Sequence, residues 1–149
     1  MSVDAVLNAT KGLIVAPAGC GKTHLITDAL SVAQSKPYLV LTHTTAGVTA
    51  LKKRLSRFAI PPRNYIVTTI DGWALKIAGC FPGLCPLDVG PENPTLFYPS
   101  LRRAVLNLIV NGNISEIITA TYSRLLVDEY QDCNSEQHEL TFSLSPLLP

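Results

Sequence analysis

Gly12-Leu13-Ile14-Val15-Ala16-Pro17-Ala18-Gly19-Cys20-Gly21-Lys22-Thr23 is the stretch that decides the fold. Its first five residues form an apolar run that Pro17-Ala18-Gly19 closes, the pattern of a buried strand ending in a turn. Beyond the turn, Leu25, Ile26, Ala29, Leu30 and Ala33 fall on one helical face, and Lys36-Pro37 stops the run. The expected unit is strand, glycine turn, helix, and similar units follow it. Tyr38–Thr42 is a second buried-strand candidate, with Val48, Leu51, Leu55 and Phe58 at helical spacing after it. Residues 65–70 are rich in β-branched side chains, and residues 72–78 suit a short helix. Arg124–Val127 reads as a last strand, with Asn134 or Ser135 placed to cap a final helix. Such alternation predicts an α/β fold, a parallel sheet flanked by helices.

Residues 79–99 depart from this pattern, because prolines and glycines crowd a stretch whose charges are Asp88 and Glu92; an irregular insertion is expected there. Ser100 then reads as the cap of a helix through Leu101, Ala104, Val105, Leu108 and Ile109, which Asn111-Gly112 ends.

Composition narrows the classes. A chain of 149 residues is the size of one domain. With 47% hydrophobic and 15% charged residues it predicts a packed core rather than disorder. No stretch approaches the roughly 20 consecutive apolar residues of a membrane span, and Met1-Ser2-Val3-Asp4-Ala5 lacks the basic start of a secretory leader. A cytoplasmic chain without a membrane partner is expected. Cys20, Cys80, Cys85 and Cys133 form no CxxC pair and have no His at zinc spacing, so they read as reduced thiols. The net charge of +1 hides a polarity. Lys52, Lys53, Arg54, Arg57 and Arg63 crowd one stretch, and Asp128, Glu129, Asp132, Glu136 and Glu139 crowd another.

The turn over residues 16–23 has the chemistry of a phosphate cradle. Gly19 and Gly21 put no Cβ in the way, so successive backbone N–H groups can face an anion at the positive end of a helix. Ala18, Gly19, Cys20, Gly21, Lys22, Thr23 and His24 are the expected cofactor-binding residues. Lys22 can reach the β- and γ-phosphates and the Thr23 hydroxyl can ligate Mg²⁺. Ala16 stands where the strict pattern has Gly; the groups that contact phosphate are all retained.

Leu125-Leu126-Val127-Asp128-Glu129-Tyr130-Gln131-Asp132 places two carboxylates directly after an apolar strand. Ligands of α/β sheets sit at the carboxyl ends of strands, so these acids are expected in the same crevice as the glycine turn. Asp128 is the expected Mg²⁺ partner of Thr23, directly or through water. Glu129 is placed to accept the proton of a water attacking the γ-phosphate, and Gln131 offers an amide to that phosphate.

Taken in order, four motifs resemble the N-terminal, ATP-binding part of UvrD/Rep-type superfamily 1 DNA helicases. Residues 16–23 resemble motif I, which often begins with Ala in that family. Leu41-Thr42-His43-Thr44-Thr45-Ala46 resembles motif Ia, Thr68-Thr69-Ile70-Asp71-Gly72-Trp73-Ala74 is similar to motif Ib, and Asp128-Glu129-Tyr130-Gln131-Asp132 is similar to motif II, the most specific of the four. The resemblance implies a RecA-like P-loop NTPase fold, incomplete here, with ATP and Mg²⁺ as cofactors and Lys22, Glu129 and Gln131 as catalytic residues. It implies ATP-driven movement on single-stranded DNA, with Thr42, Thr44 and Thr69 on the DNA backbone and Trp73 packed or stacked near it. Asp71 stands where motif Ib usually has His. Lys52, Lys53, Arg54 and Arg57 read either as a DNA-facing patch or as a solvated helix face.

No Gln precedes Gly12, so the adenine-reading motif has no counterpart. The resemblance stops before motif III, which implies that the γ-phosphate sensor, the second RecA-like domain and its arginines lie outside these residues. An arginine finger contributes on the order of 10³–10⁵ in rate, so very slow hydrolysis and no unwinding are expected of this chain alone. The resemblance also puts the strand after motif II between the strands of motifs I and II. A truncated, aggregation-prone module is expected, completed by the missing helicase domains or by a protein partner. Two other readings stay open: a non-motor NTP-dependent switch or regulatory ATPase, and a degenerate remnant that binds little.

Overall fold

The computed structural model describes residues 2–17 and 19–149. A short helix α1 (Val3–Asn8) is followed by α2 (Lys22–Ser31), β1 (Tyr38–Thr42), α3 (Thr45–Arg57), β2 (Tyr65–Thr69), α4 (Ile70–Cys80), α5 (Pro94–Val110), α6 (Ser115–Thr121), β3 (Arg124–Val127) and α7 (Ser135–Leu144). The strands form one parallel sheet in the order β2-β1-β3. Tyr38 of β1 pairs with Tyr65 on one side and Arg124 on the other.

Alternation along β1 produces the layers. Leu39 and Leu41 join a core with Trp73, Leu101, Ile118 and Leu140 from α4 to α7, whereas Tyr38 and Val40 join a second core with Leu30 of α2 and Leu51 and Leu55 of α3. All five β1 residues are buried, as an apolar run covered on both faces requires. Each fully buried Leu or Ile contributes about 1.5–3 kcal/mol relative to exposure. The sheet is therefore a helix-covered α/β sheet, as its sequence pattern predicts.

Caps fix where the helices begin. Thr44 accepts the Gly47 N–H at 3.1 Å to start α3, and Thr69 accepts the Gly72 N–H at 2.8 Å to start α4. Both caps sit against close glycines: a Cβ on Gly47 would lie 3.2 Å from the capping Thr44 Oγ1 and 2.7 Å from Thr42 Oγ1, and one on Gly72 would lie 2.8 Å from Thr69 Oγ1. Asn134 and Gln137 form a reciprocal capping box at the start of α7. At the opposite end of the sheet, the Arg124 guanidinium donates to the carbonyls of Leu7 and Ala9, each at 2.6 Å, and so satisfies the end of α1.

Three expectations are corrected. Residues 12–16, expected to supply the first strand, carry no regular structure, and Leu13 and Val15 are 69% and 85% exposed. An apolar run becomes a strand only beside a ladder partner; on β3, the Leu125 N–H instead donates to the Pro149 carbonyl at 3.0 Å. The helix expected after Ser100 begins at Pro94, with Ser100 inside it. Pro94 occupies the first turn, where its missing N–H costs nothing and its fixed φ suits a helix. The irregular stretch consequently ends at Asn93 rather than running through 99. α1 and α6, six and seven residues long, are too short to announce themselves by periodicity.

All four cysteines are free thiols. Among the described residues, no helix is long and apolar enough to cross a membrane.

Candidate functional site

The turn before α2 is shaped by its glycines. Gly19 and Gly21 adopt φ of +82° and +83°, a left-handed conformation that glycine enters without penalty. No atom lies within 4 Å of a Cβ built on either one, so the turn is open where they stand. Gly21 caps α2, and Lys22 and Thr23 form its first turn. Lys22 Nζ folds back to donate to the carbonyls of Ala16 at 2.6 Å and Pro17 at 3.4 Å. A cleft of about 280 Å³ lies here, walled by Ile14, Val15, Cys20, Lys22 and Leu25.

Other loop residues contribute differently from one another. The Cys20 N–H closes the turn by donating to the Pro17 carbonyl at 3.2 Å, and its side chain is exposed. The His24 ring lies along α2, with Nδ1 3.7 Å from an Asp28 carboxylate oxygen and its centroid 6.1 Å from that of Phe58. His24 thus offers the loop its main-chain N–H rather than its ring. Ala18 lies outside the described residues.

The acidic strand end is held by the sheet. The Asp128 N–H continues the ladder beyond β3 by donating to the Leu41 carbonyl at 2.8 Å. Burial raises the Asp128 pKa, the neighbouring Glu129 charge raises it further, and two groups pull it back: the Glu129 N–H, donating at 3.1 Å, and the Lys22 ammonium. The Lys22 charge therefore acts on Asp128 through space, as the weakest of these four influences. Glu129 takes a left-handed backbone, φ +53°, uncommon for a residue with a side chain, and so turns the chain sharply after Asp128. Its carboxylate accepts a hydrogen bond from the exposed Gln131 amide.

Comparison with known proteins finds no matching family model, no matching curated protein and no matching solved structure. What the site can do must come from its own chemistry. An open turn at a helix start attracts anions, and a partly buried carboxylate at a strand end attracts a hard cation. Among the described residues no group of three or more His, Cys, Asp or Glu forms a cage for a metal.

A second cleft, about 220 Å³, opens where β1 and β2 end, lined by His43, Thr45, Thr69, Asp71 and Tyr98. The starts of α3 and α4 meet there. Thr44 and Thr69 spend their hydroxyls accepting cap bonds. Thr42 is 1% exposed, and its Oγ1 and the His43 Nδ1 are buried without a hydrogen-bond partner. Of the two placements expected for Trp73, packed or stacked, the structure rules out stacking. Trp73 is 1% exposed, its indole N–H donates to the Tyr122 hydroxyl at 3.2 Å, and it offers no face to a base. Lys52, Lys53 and Arg57 are exposed on α3.

Sequence reasoning missed Arg102 and Tyr98. Arg102 forks onto both Asp71 carboxylate oxygens at 2.7 and 2.8 Å and reaches Glu136 at 2.8 Å. The signal was present: Tyr98 and Arg102 are one helical turn apart, and Arg102 adjoins the buried Leu101 in a largely apolar helix.

Proposed function

We propose that this chain is the ATP-binding and ATP-hydrolysing module of a DNA helicase that moves on single-stranded DNA, built on a RecA-like nucleotide-binding fold. The observation that carries the proposal is the open glycine turn at the start of α2, with Gly19 and Gly21 at φ +82° and +83° and Lys22 in the first helical turn, whose charge also acts on the Asp128 carboxylate. The residues fit that group. The glycine turn has room for a phosphate, Lys22 is bonded to carbonyls of its own loop that a phosphate oxygen can replace, and the partly desolvated Asp128 carboxylate gains from a cation.

When bound, the nucleotide supplies a γ-phosphoryl group whose charge Mg²⁺ partly neutralises. Thr23 and Asp128 would hold the ion, and Lys22 would bind the β- and γ-phosphate oxygens. Glu129 accepts the proton of the attacking water as the new P–O bond forms and the bond to the diphosphate breaks. Gln131, bonded to Glu129, keeps that carboxylate oriented and offers its amide to the same water or phosphate.

The cleft between the starts of α3 and α4 suits a DNA phosphate backbone, because two helix N-termini converge on it, the Thr69 hydroxyl can still donate its proton while accepting the cap bond, and Arg102 neutralises the Asp71 carboxylate in the lining. Such contacts read no base, as a motor requires. The test is ATP turnover by the chain with and without oligothymidylate. Stimulation by the single strand, abolished by Glu129→Gln, is expected of the motor module; turnover indifferent to the strand indicates an NTP-dependent switch instead.

A further inference from the structure

β2 and β3 are the two outer strands of the sheet, separated by β1, yet one side chain joins the helices that follow them. Arg102 comes from α5, and its side chain is 12% exposed. Its Nε and Nη2 engage both oxygens of Asp71 in the first turn of α4, while Nη1 engages Glu136 in the first turn of α7. Both carboxylates stand on anchored helix starts. The Thr69 cap ties α4 to the end of β2, and the Asn134–Gln137 box ties α7 to the loop that carries Asp128, Glu129 and Gln131.

One end of this bridge lines a cleft and the other stands on the helix that follows the acidic strand end. Asp71 lines the groove between α3 and α4, as does Tyr98, one turn before Arg102 on the same helix. Glu136 follows the acidic strand end by a few residues, and the Cys133 thiol between them has its pKa raised by burial and by the charges of Asp132 and Asp71, which places Asp71 near that loop. A planar guanidinium holding three directed, charge-assisted bonds transmits orientation better than a flexible ammonium. Stability is not a sufficient reason for such a bridge, since partly buried ion pairs are often no better than neutral replacements.

We propose that Arg102 is a positioning residue that links the nucleotide loop to the groove, so that occupancy of the first changes the affinity of the second. This rests on the function proposed above. A nucleotide that shifts the 128–134 loop moves Glu136; Arg102, pinned to Asp71, carries that shift to the start of α4. By linkage, DNA in the groove must alter nucleotide affinity by the same factor. Trp73, the sole tryptophan, lies two positions past Asp71 on α4 and reports on it.

The discriminating variant is Glu136→Ala, which cuts the link to α7 and leaves the Arg102–Asp71 fork and both clefts intact. Oligothymidylate affinity is measured with and without a saturating, non-hydrolysable Mg-ATP analogue, alongside Trp73 emission. The wild type is expected to show a change in affinity of at least about fivefold and a shift in emission. Glu136→Ala is expected to keep each separate affinity within about twofold while both responses vanish. Arg102→Gln should lose them as well; if it fails to fold, Glu136→Ala still decides. A wild type that binds neither ligand overturns the proposed function and this linkage together. Binding of both with the response retained in Glu136→Ala overturns the role of Arg102 alone.

Discussion

Lys22, in the first turn of α2, draws down the proton affinity of Asp128, at the end of β3, against the burial and the Glu129 charge that raise it. The upward effects win, so ionising Asp128 is harder in the folded chain than in the unfolded one. The carboxyl therefore favours folding when protonated. That stability is present below its ordinary pKa of 3.8 and is lost as pH rises through the elevated folded value. Asp128→Asn mimics the protonated form. Its Tm at neutral pH is expected to exceed that of the wild type, by a margin that shrinks as pH falls toward the ordinary carboxylate range. Mg-dependent nucleotide binding should weaken in the same variant. Thermal scans across pH check this, and a lower Tm at neutral pH would contradict it.

Trp73 is assigned to the core, bonded to Tyr122. Tyr122→Phe leaves a buried indole N–H unpaired and is expected to cost about 1–3 kcal/mol in urea unfolding. Trp73→Phe should also destabilise the chain while leaving oligothymidylate affinity unchanged, within about twofold for the folded fraction. Lost DNA affinity with unchanged stability would return Trp73 to the groove.

The threonines at the strand ends divide into two kinds. Thr44→Ala and Thr69→Ala remove helix caps and are each expected to cost about 0.5–2 kcal/mol, with Ser restoring most of it. Thr42→Val removes a buried hydroxyl that has no partner, so chemical denaturation should find it neutral or stabilising. If Thr42→Val proves as costly as the caps, its hydroxyl has a structural partner.

Much of this architecture could be read from the chain. β1, β2 and β3 were legible because each is a short run of apolar or β-branched residues bounded by turn residues, and their order of alternation with helices sufficed for a parallel sheet. The start of α7 was legible because Asn134 is a strong cap. Strand formation at 12–16 was not, since an apolar run carries no information about whether a ladder partner lies beside it. Pro94 misled because proline marks a helix's first turn as readily as a loop. At the site, the glycine turn before α2 and the carboxylates directly after β3 were legible from residue type and order. The Asp71–Arg102–Glu136 bridge was not, because it joins three helices through side chains whose positions depend on how α5 packs between α4 and α7. Trp73 showed the converse: its type suits a base platform, and only burial distinguishes that from core.

Lys22 and Asp128 are proposed to serve one Mg²⁺-bound triphosphate. A fluorescent ATP analogue titrated with Mg²⁺ into the wild type, Lys22→Ala, Asp128→Asn and the double variant tests it directly. Mg-dependent binding is expected, at least about tenfold weaker in each single variant, with the double variant losing less than the sum of the two because both act on one ligand. Binding by Lys22→Ala as tight as by the wild type would contradict it.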